Sequence, residues 1–135
     1  MLRSLDISTS AMSALQTKLE VVSNNLANSE SLTDADGNYN PYRRRKVFFQ
    51  PGDPSRATPF GVHVERIIAD RQAPLQKRYE PGSEYADAQG YVSYPNVNPL
   101  EEMTDAMVTI RSYQANVTAF EATKSMASSA LRLLA

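Results

Sequence analysis

The chain has no cysteine among its 135 residues. Disulfides, thiol nucleophiles and cysteine-ligated metals are therefore excluded. It has a single histidine, His63. A histidine acting as base or metal ligand needs partners, so His63 reads as a surface or edge residue. It lacks a charge excess: 14 basic and 15 acidic side chains leave a net charge of -1. That balance argues against nucleic acid or an anionic membrane as the main partner. No apolar run approaches the length needed to cross a bilayer, so direct membrane insertion is not expected. The start, Met1-Leu2-Arg3-Ser4-Leu5-Asp6, lacks the basic and apolar stretches of a cleaved secretory signal.

Helix breakers are absent from both ends. All eight prolines lie between Pro41 and Pro99, and all five glycines between Gly37 and Gly90. Because Gly and Pro interrupt helices, this segregation divides the chain into three zones. They are an N-terminal helix over 1–31, a β or irregular insert over 32–97, and a C-terminal helix over 98–135. The expected fold is mainly α, with the two long helices forming a coiled-coil-like pair around a small insert.

Periodicity supports both helices. Leu5, Met12, Leu19 and Leu26 are seven apart, and Leu15 and Val22 follow Met12 and Leu19 by three. That alternation lines one stripe of a helix. Ser4 can cap its start, and Asn24, Asn25 and Asn28 mark its end. At the other terminus Met103, Ile110, Val117 and Leu131 share one heptad position; Ala106, Tyr113, Phe120, Ala127 and Leu134 share its partner. Lys124 interrupts the first series. Asn98 can cap this helix, Pro99 suits its first turn and Glu101 can complete a capping box. In the insert, Val47-Phe48-Phe49, Val62 to Ile68 and Tyr91 to Tyr94 read as strands. Asp36-Gly37, Pro51-Gly52, Pro81-Gly82 and Gln89-Gly90 read as turns. So small an insert buries too little surface to stand alone, and it is expected to lean on the helices or on neighbouring subunits.

The helix surfaces are unusual. Between Ser8 and Ser29 the only charges are Lys18 and Glu20; between Ala106 and Ala135 they are Arg111, Glu121, Lys124 and Arg132. Elsewhere these faces are Ser, Thr, Asn, Gln and Ala, which let helices approach closely at low desolvation cost. A two-helix hairpin with a solvated back and a bundle of many copies both fit this pattern.

Motifs for chemistry fail. Asp34-Ala35-Asp36-Gly37-Asn38 resembles a calcium loop, but Arg43 stands where its glutamate is needed, so a polar turn is the reading. Arg43-Arg44-Arg45-Lys46 has little aromatic interleaving and reads as a solvated or inter-subunit patch. Glu101, Glu102 and Asp105 read as acids of a helix's first turn. Neither a phosphate loop nor a nucleophile elbow is present. The chain is thus expected to be no enzyme, with no catalytic, cofactor or metal residues.

Val21-Val22-Ser23-Asn24-Asn25-Leu26-Ala27-Asn28 resembles the N-terminal signature of the flagellar axial family: rod, hook and hook-associated subunits. The chain then departs from that family's usual continuation, with Ser29-Glu30-Ser31-Leu32-Thr33 and Pro41-Tyr42-Arg43-Arg44. Tyr79-Glu80-Pro81-Gly82, Ala86-Asp87, Gly90-Tyr91-Val92, Pro95-Asn96-Val97 and Arg111-Ser112-Tyr113-Gln114-Ala115-Asn116-Val117 with Lys124-Ser125-Met126 are similar to the proximal rod members. The resemblance implies a structural subunit of the flagellar basal body, exported by the flagellar type III apparatus without a cleaved signal. It implies a periplasm-spanning rod that transmits torque and forms part of the export channel. The implied partners are FlgB, FlgF and FlgG, the rod-base protein FliE and copies of itself. Assembly is expected through Leu5, Met12, Leu15, Leu19, Val22, Asn24, Asn25, Leu26 and Asn28, and through Met103, Ile110, Tyr113, Asn116, Val117, Phe120, Leu131 and Leu134. The competing reading is a soluble helical-hairpin adaptor or secretion-chaperone module.

Overall fold

A computed structural model describes residues 2–52 and 60–134. The element order is α1 (Leu2–Ala27), β1 (Arg45–Pro51), β2 (Val62–Ala69), β3 (Gln76–Tyr79), β4 (Tyr91–Tyr94) and α2 (Pro99–Leu134). β1 pairs with β2 and β3 with β4, giving two separate two-stranded antiparallel sheets.

At 26 and 36 residues, the helices run for roughly 39 and 54 Å at 1.5 Å per residue. α1 starts two residues earlier than its polar signal suggests, so Ser4 lies within the first turn rather than at the cap. Its end falls where the asparagines stand. The Asn28 backbone N–H and side-chain amide both donate to the Asn24 carbonyl, at 3.1 and 2.8 Å. They satisfy an acceptor the terminating helix would leave orphaned. α2 begins at the expected Pro99. The Asn98 carboxamide oxygen accepts from the Leu100 N–H at 3.1 Å and caps it.

The chain divides into two compact units. One comprises Val21–Lys46 and Ile68–Asp105. It contains the last turns of α1, the β3–β4 hairpin and the start of α2. Its apolar core is Val21, Val22, Val92 and Val97, with Asn25 and Glu102 buried among the polar residues. The short hairpin contributes Val92, wholly buried, to this unit. β3 was not legible as a strand. Gln76-Lys77-Arg78-Tyr79 is exposed along its length, with no apolar alternation, and owes its conformation to pairing with β4 in the register Gln76 to Tyr94 through Tyr79 to Tyr91. Tyr39 is pinned to the same hairpin: its hydroxyl donates to the Ser93 carbonyl and accepts from the Ser93 N–H, both at 3.0 Å. Its ring stacks on Tyr85 with centroids 5.0 Å apart.

The other unit comprises Met1–Glu20, Val47–Ile67 and Ala106–Ala135. Among its described residues Ala14 is the buried apolar side chain and Thr109 the buried polar one. Gly61 adopts φ +93°, and a Cβ there would strike the Ser10 side chain. Both facts call for glycine at this approach of the loop to α1. The Ser10 hydroxyl accepts from the Val62 N–H at 3.2 Å. His63 is half-buried in β2.

Candidate assembly surfaces and an internal polar network

Helices rich in Ser and Thr present hydroxyls that must be satisfied. Thr9, Thr17, Thr104, Ser112, Thr118 and Thr123 each donate to the carbonyl four residues earlier on their own helix. A hydroxyl bonded this way has its donor satisfied within the helix and leaves only acceptor lone pairs facing outward. The methyl and methylene faces it leaves can therefore meet another helix with little desolvation cost.

The residues expected at assembly surfaces fall into different environments. In α1, Val22 and Asn25 are buried; Leu5, Met12, Leu15, Leu19, Leu26 and Asn28 are half-buried; Asn24 is exposed. In α2, Asn116, Val117 and Phe120 are half-buried, whereas Met103, Ile110, Tyr113 and Leu131 are exposed. The Leu134 side chain lies outside the described residues. Large apolar side chains that the heptad reading passed over are also uncovered: Leu100 is 72% exposed, Met107 61% and Val108 55%. They fall between the two seven-residue series. A signal was available, because Leu100, Met103, Met107 and Ile110 follow the 3-4 spacing of one helix stripe. Single exposed apolar residues are ordinary, but this density along one helix is not.

The basic run is divided: Arg43 and Arg44 are half-buried and bonded within the chain, whereas Arg45 and Lys46 are exposed. The Arg44 guanidinium donates through Nε to Glu102 Oε1 at 2.5 Å and reaches Asp105 Oδ2 at 3.5 Å. Glu101 Oε2 lies 3.8 Å from Arg44. Arg43 donates to the Ala73 carbonyl at 3.0 Å, and Lys46 pairs with Asp70 at 2.6 Å. The Arg45 guanidinium lies 6.0 Å from the Tyr42 ring centroid. Glu101 and Glu102 of the first turn of α2 are thus ligands for an arginine as well as partners of the helix dipole, and Asp105, expected in that turn, lies beyond it.

At the centre of this network sits Asn25, only 1% exposed. Its amide nitrogen donates to the Arg45 carbonyl at 2.9 Å and to Glu102 Oε2 at 3.1 Å. Its oxygen accepts from the Arg45 N–H and from the Tyr42 hydroxyl, both at 2.9 Å. Burial raises the Tyr42 pKa above the ordinary phenol value, against the lowering effect of Arg45 and with a further raising effect of Glu102. Asn96 adds a cross-tie, accepting from the Arg44 N–H at 2.9 Å and donating to the Asp70 carbonyl at 3.0 Å.

Two further carboxylates, Asp70 and Asp87, have lowered pKa values. Asp70 is held down by its hydrogen bond from Lys46, then by the Ala73 backbone N–H. Asp87 is held down first by the Tyr91 N–H and also by those of Gln89 and Gly90. A folded-state pKa below the unfolded one gives stability that is present above the unfolded value and lost as pH falls through the folded one. The expected thermal midpoint is therefore insensitive to these two groups from neutrality down to about pH 4, and falls below that. Asp70→Asn should lower the neutral-pH midpoint and shrink the acid-induced drop, which calorimetry at several pH values reads directly.

Asp34 makes the polar turn expected of its loop. Its carboxylate accepts from the N–H groups of Asp36 at 3.1 Å and Asn38 at 2.9 Å, with Gly37 at φ +81°.

Comparison with known proteins agrees with these features. Residues 5–30 match the family model described as flagella basal body rod protein, and residues 88–133 match that of the flagellar basal body rod FlgEFG protein C-terminal region. The chain is 44% identical over 126 residues to the flagellar basal-body rod protein FlgC of Escherichia coli O6:H1, covering 93% of this chain and 92% of that protein. It is 45% identical over 127 residues to the FlgC of Salmonella typhimurium strain LT2, with the same coverage of 93% and 92%. Against the FlgC of Bacillus subtilis strain 168 it is 38% identical over 144 residues, covering 96% and 95%. The chain belongs to the flagellar basal-body rod protein family and is a structural rod subunit of the basal body, not an enzyme.

Proposed function

We propose that this rod subunit takes the proximal position in the shaft, and that its terminal helices are the surfaces by which it assembles. The terminal segments 1–31 and 98–135 serve assembly and the insert at 32–97 serves as a separate outer element. Three facts support this reading. α2 leaves Met103, Ile110, Tyr113 and Leu131 uncovered, alongside Leu100, Met107 and Val108. The hydroxyls of Thr9, Thr17, Ser112 and Thr118 donate to carbonyls of their own helices. The relatives are named as rod proteins over nearly their whole length. The first carries the most weight, because an apolar helix face left in water is stabilised by covering it. Each large side chain so buried contributes roughly 1.5–3 kcal/mol.

On this reading the helices pack in a coiled-coil-like manner inside a hollow rod. The assembly residues are Leu5, Met12, Leu15, Leu19, Asn24, Leu26 and Asn28 of α1, with Asn116, Val117, Phe120 and Leu134 joining the exposed residues of α2; Val22 and Asn25, expected in the same set, are buried within the chain and act through its fold. The neighbours are FlgB, FlgF, FlgG, FliE and further copies of this chain. The rod spans the periplasm, carries motor torque and continues the export channel, and the subunit reaches it by type III export. A photo-crosslinker placed at Leu131 tests this in cells. Adducts with rod proteins in purified basal bodies are the expected outcome, and adducts solely with soluble cytoplasmic proteins would exclude it.

A further inference from the structure

The asparagines of the Asn24-Asn25-Leu26-Ala27-Asn28 element do three different things. Asn28 caps the end of α1 through the Asn24 carbonyl. The Asn24 side chain is exposed. Asn25 is buried, and every hydrogen-bonding capacity of its amide is consumed within the chain: two donated bonds and two accepted. Nothing on it is left for another subunit.

The partners are far apart in sequence. Arg45 is twenty residues on and Glu102 is 77 residues on. By meeting both the N–H and the carbonyl of Arg45, the Asn25 amide imitates a neighbouring strand just where β1 begins. Through Glu102 it also meets the first turn of α2, and Glu102 in turn holds Arg44. Asn25 and Glu102 lie in the two segments that match the rod families, 5–30 and 88–133. Tyr42, Arg44 and Arg45 lie in the stretch that matches neither.

We propose that Asn25 is an intrachain positioning residue. It fixes the entry of the insert onto the end of α1 and the start of α2, and it serves rod building through the chain's own fold rather than by touching a neighbour. Asparagine suits this place chemically. A carboxylate has no donor and would confront both the Glu102 carboxylate and the Arg45 carbonyl.

Amide exchange on the isolated, purified chain tests the proposal without requiring a rod. Asn25→Ala is expected to speed exchange of the Arg45 N–H roughly a hundredfold, while Asn24→Ala changes it by less than about threefold. Asn25→Asp should be as damaging, and adding Glu102→Gln should recover at least about tenfold, because the swapped pair restores one donor facing one acceptor. Unchanged Arg45 exchange in Asn25→Ala would overturn the proposal, all the more if the same variant failed to enter basal bodies, for Asn25 would then be a partner contact. Should Asn25→Ala not fold, the swap decides: recovery supports the intrachain bond and no recovery refutes it. Both results are independent of which neighbours the subunit has.

Discussion

Glu102→Ala is expected to lower the stability of the isolated chain by about 3 kcal/mol and its thermal midpoint by roughly 10 °C. The carboxylate is 1% exposed, and each oxygen holds a named donor: Arg44 Nε on one, Asn25 Nδ2 on the other. Removing it leaves a guanidinium with only 23% side-chain exposure facing an empty site, and an amide N–H without its acceptor. Loss of one member of such a pair costs more than the pair contributed, because the survivor remains desolvated. The magnitude sits at the lower end for buried pairs, since Arg44 retains some water and a second carboxylate at Asp105. Glu101→Ala is the control. That side chain is 62% exposed and 3.8 Å from Arg44, so its removal should fall within about 0.5 kcal/mol. Chemical denaturation of the three proteins gives the comparison.

Met107→Asp should do the reverse: leave the isolated chain within about 0.5 kcal/mol of the parent and abolish its incorporation into rods. In the free chain Met107 is largely in water, so an aspartate there loses little. Once a neighbour covers that face, the same carboxylate must be desolvated without a partner, at a cost of several kcal/mol per subunit. Incorporation into basal bodies is then expected to fall by at least about a hundredfold, and cells carrying only this variant should not swim. Val22→Asp makes the informative contrast. Val22 is buried in the chain's own core beside Val21, so that variant should fail as an isolated protein before assembly is ever reached.

The helices were legible in the sequence because their signals are local. Asn98-Pro99 marks the start of α2, and the asparagines mark the end of α1 at Ala27, four residues short of the 1–31 zone. β4 and the cores of β1 and β2 were legible for the same reason, through short β-branched and aromatic runs. β3 was not, since a charged, exposed tetrapeptide becomes a strand only through its partner. The polar network was missed more completely. Read along the chain, Asn25 marks the fraying of a helix and Arg44 belongs to a charge run. Their actual roles depend on Glu102, which sits in a first turn where an acid needs no further explanation. One clue was present: Asn25 falls three and four residues after Val22 and Val21, on the buried face, where a polar side chain must have partners. The exposed ridge of α2 was partly hidden by the choice of heptad partner. Leu100 and Met107 are seven apart and alternate with Met103 and Ile110 by three and four, a stripe hidden when Met103 is paired with Ala106 instead.

Apolar side chains left in water by the isolated subunit are expected to be covered in the rod. The chain has no native cysteine, so one thiol introduced as Met107→Cys reports on that single position. Its rate of maleimide labelling should be that of an exposed thiol in the purified subunit and at least about a hundredfold slower in intact basal bodies. Equal labelling rates in the two preparations would contradict the account.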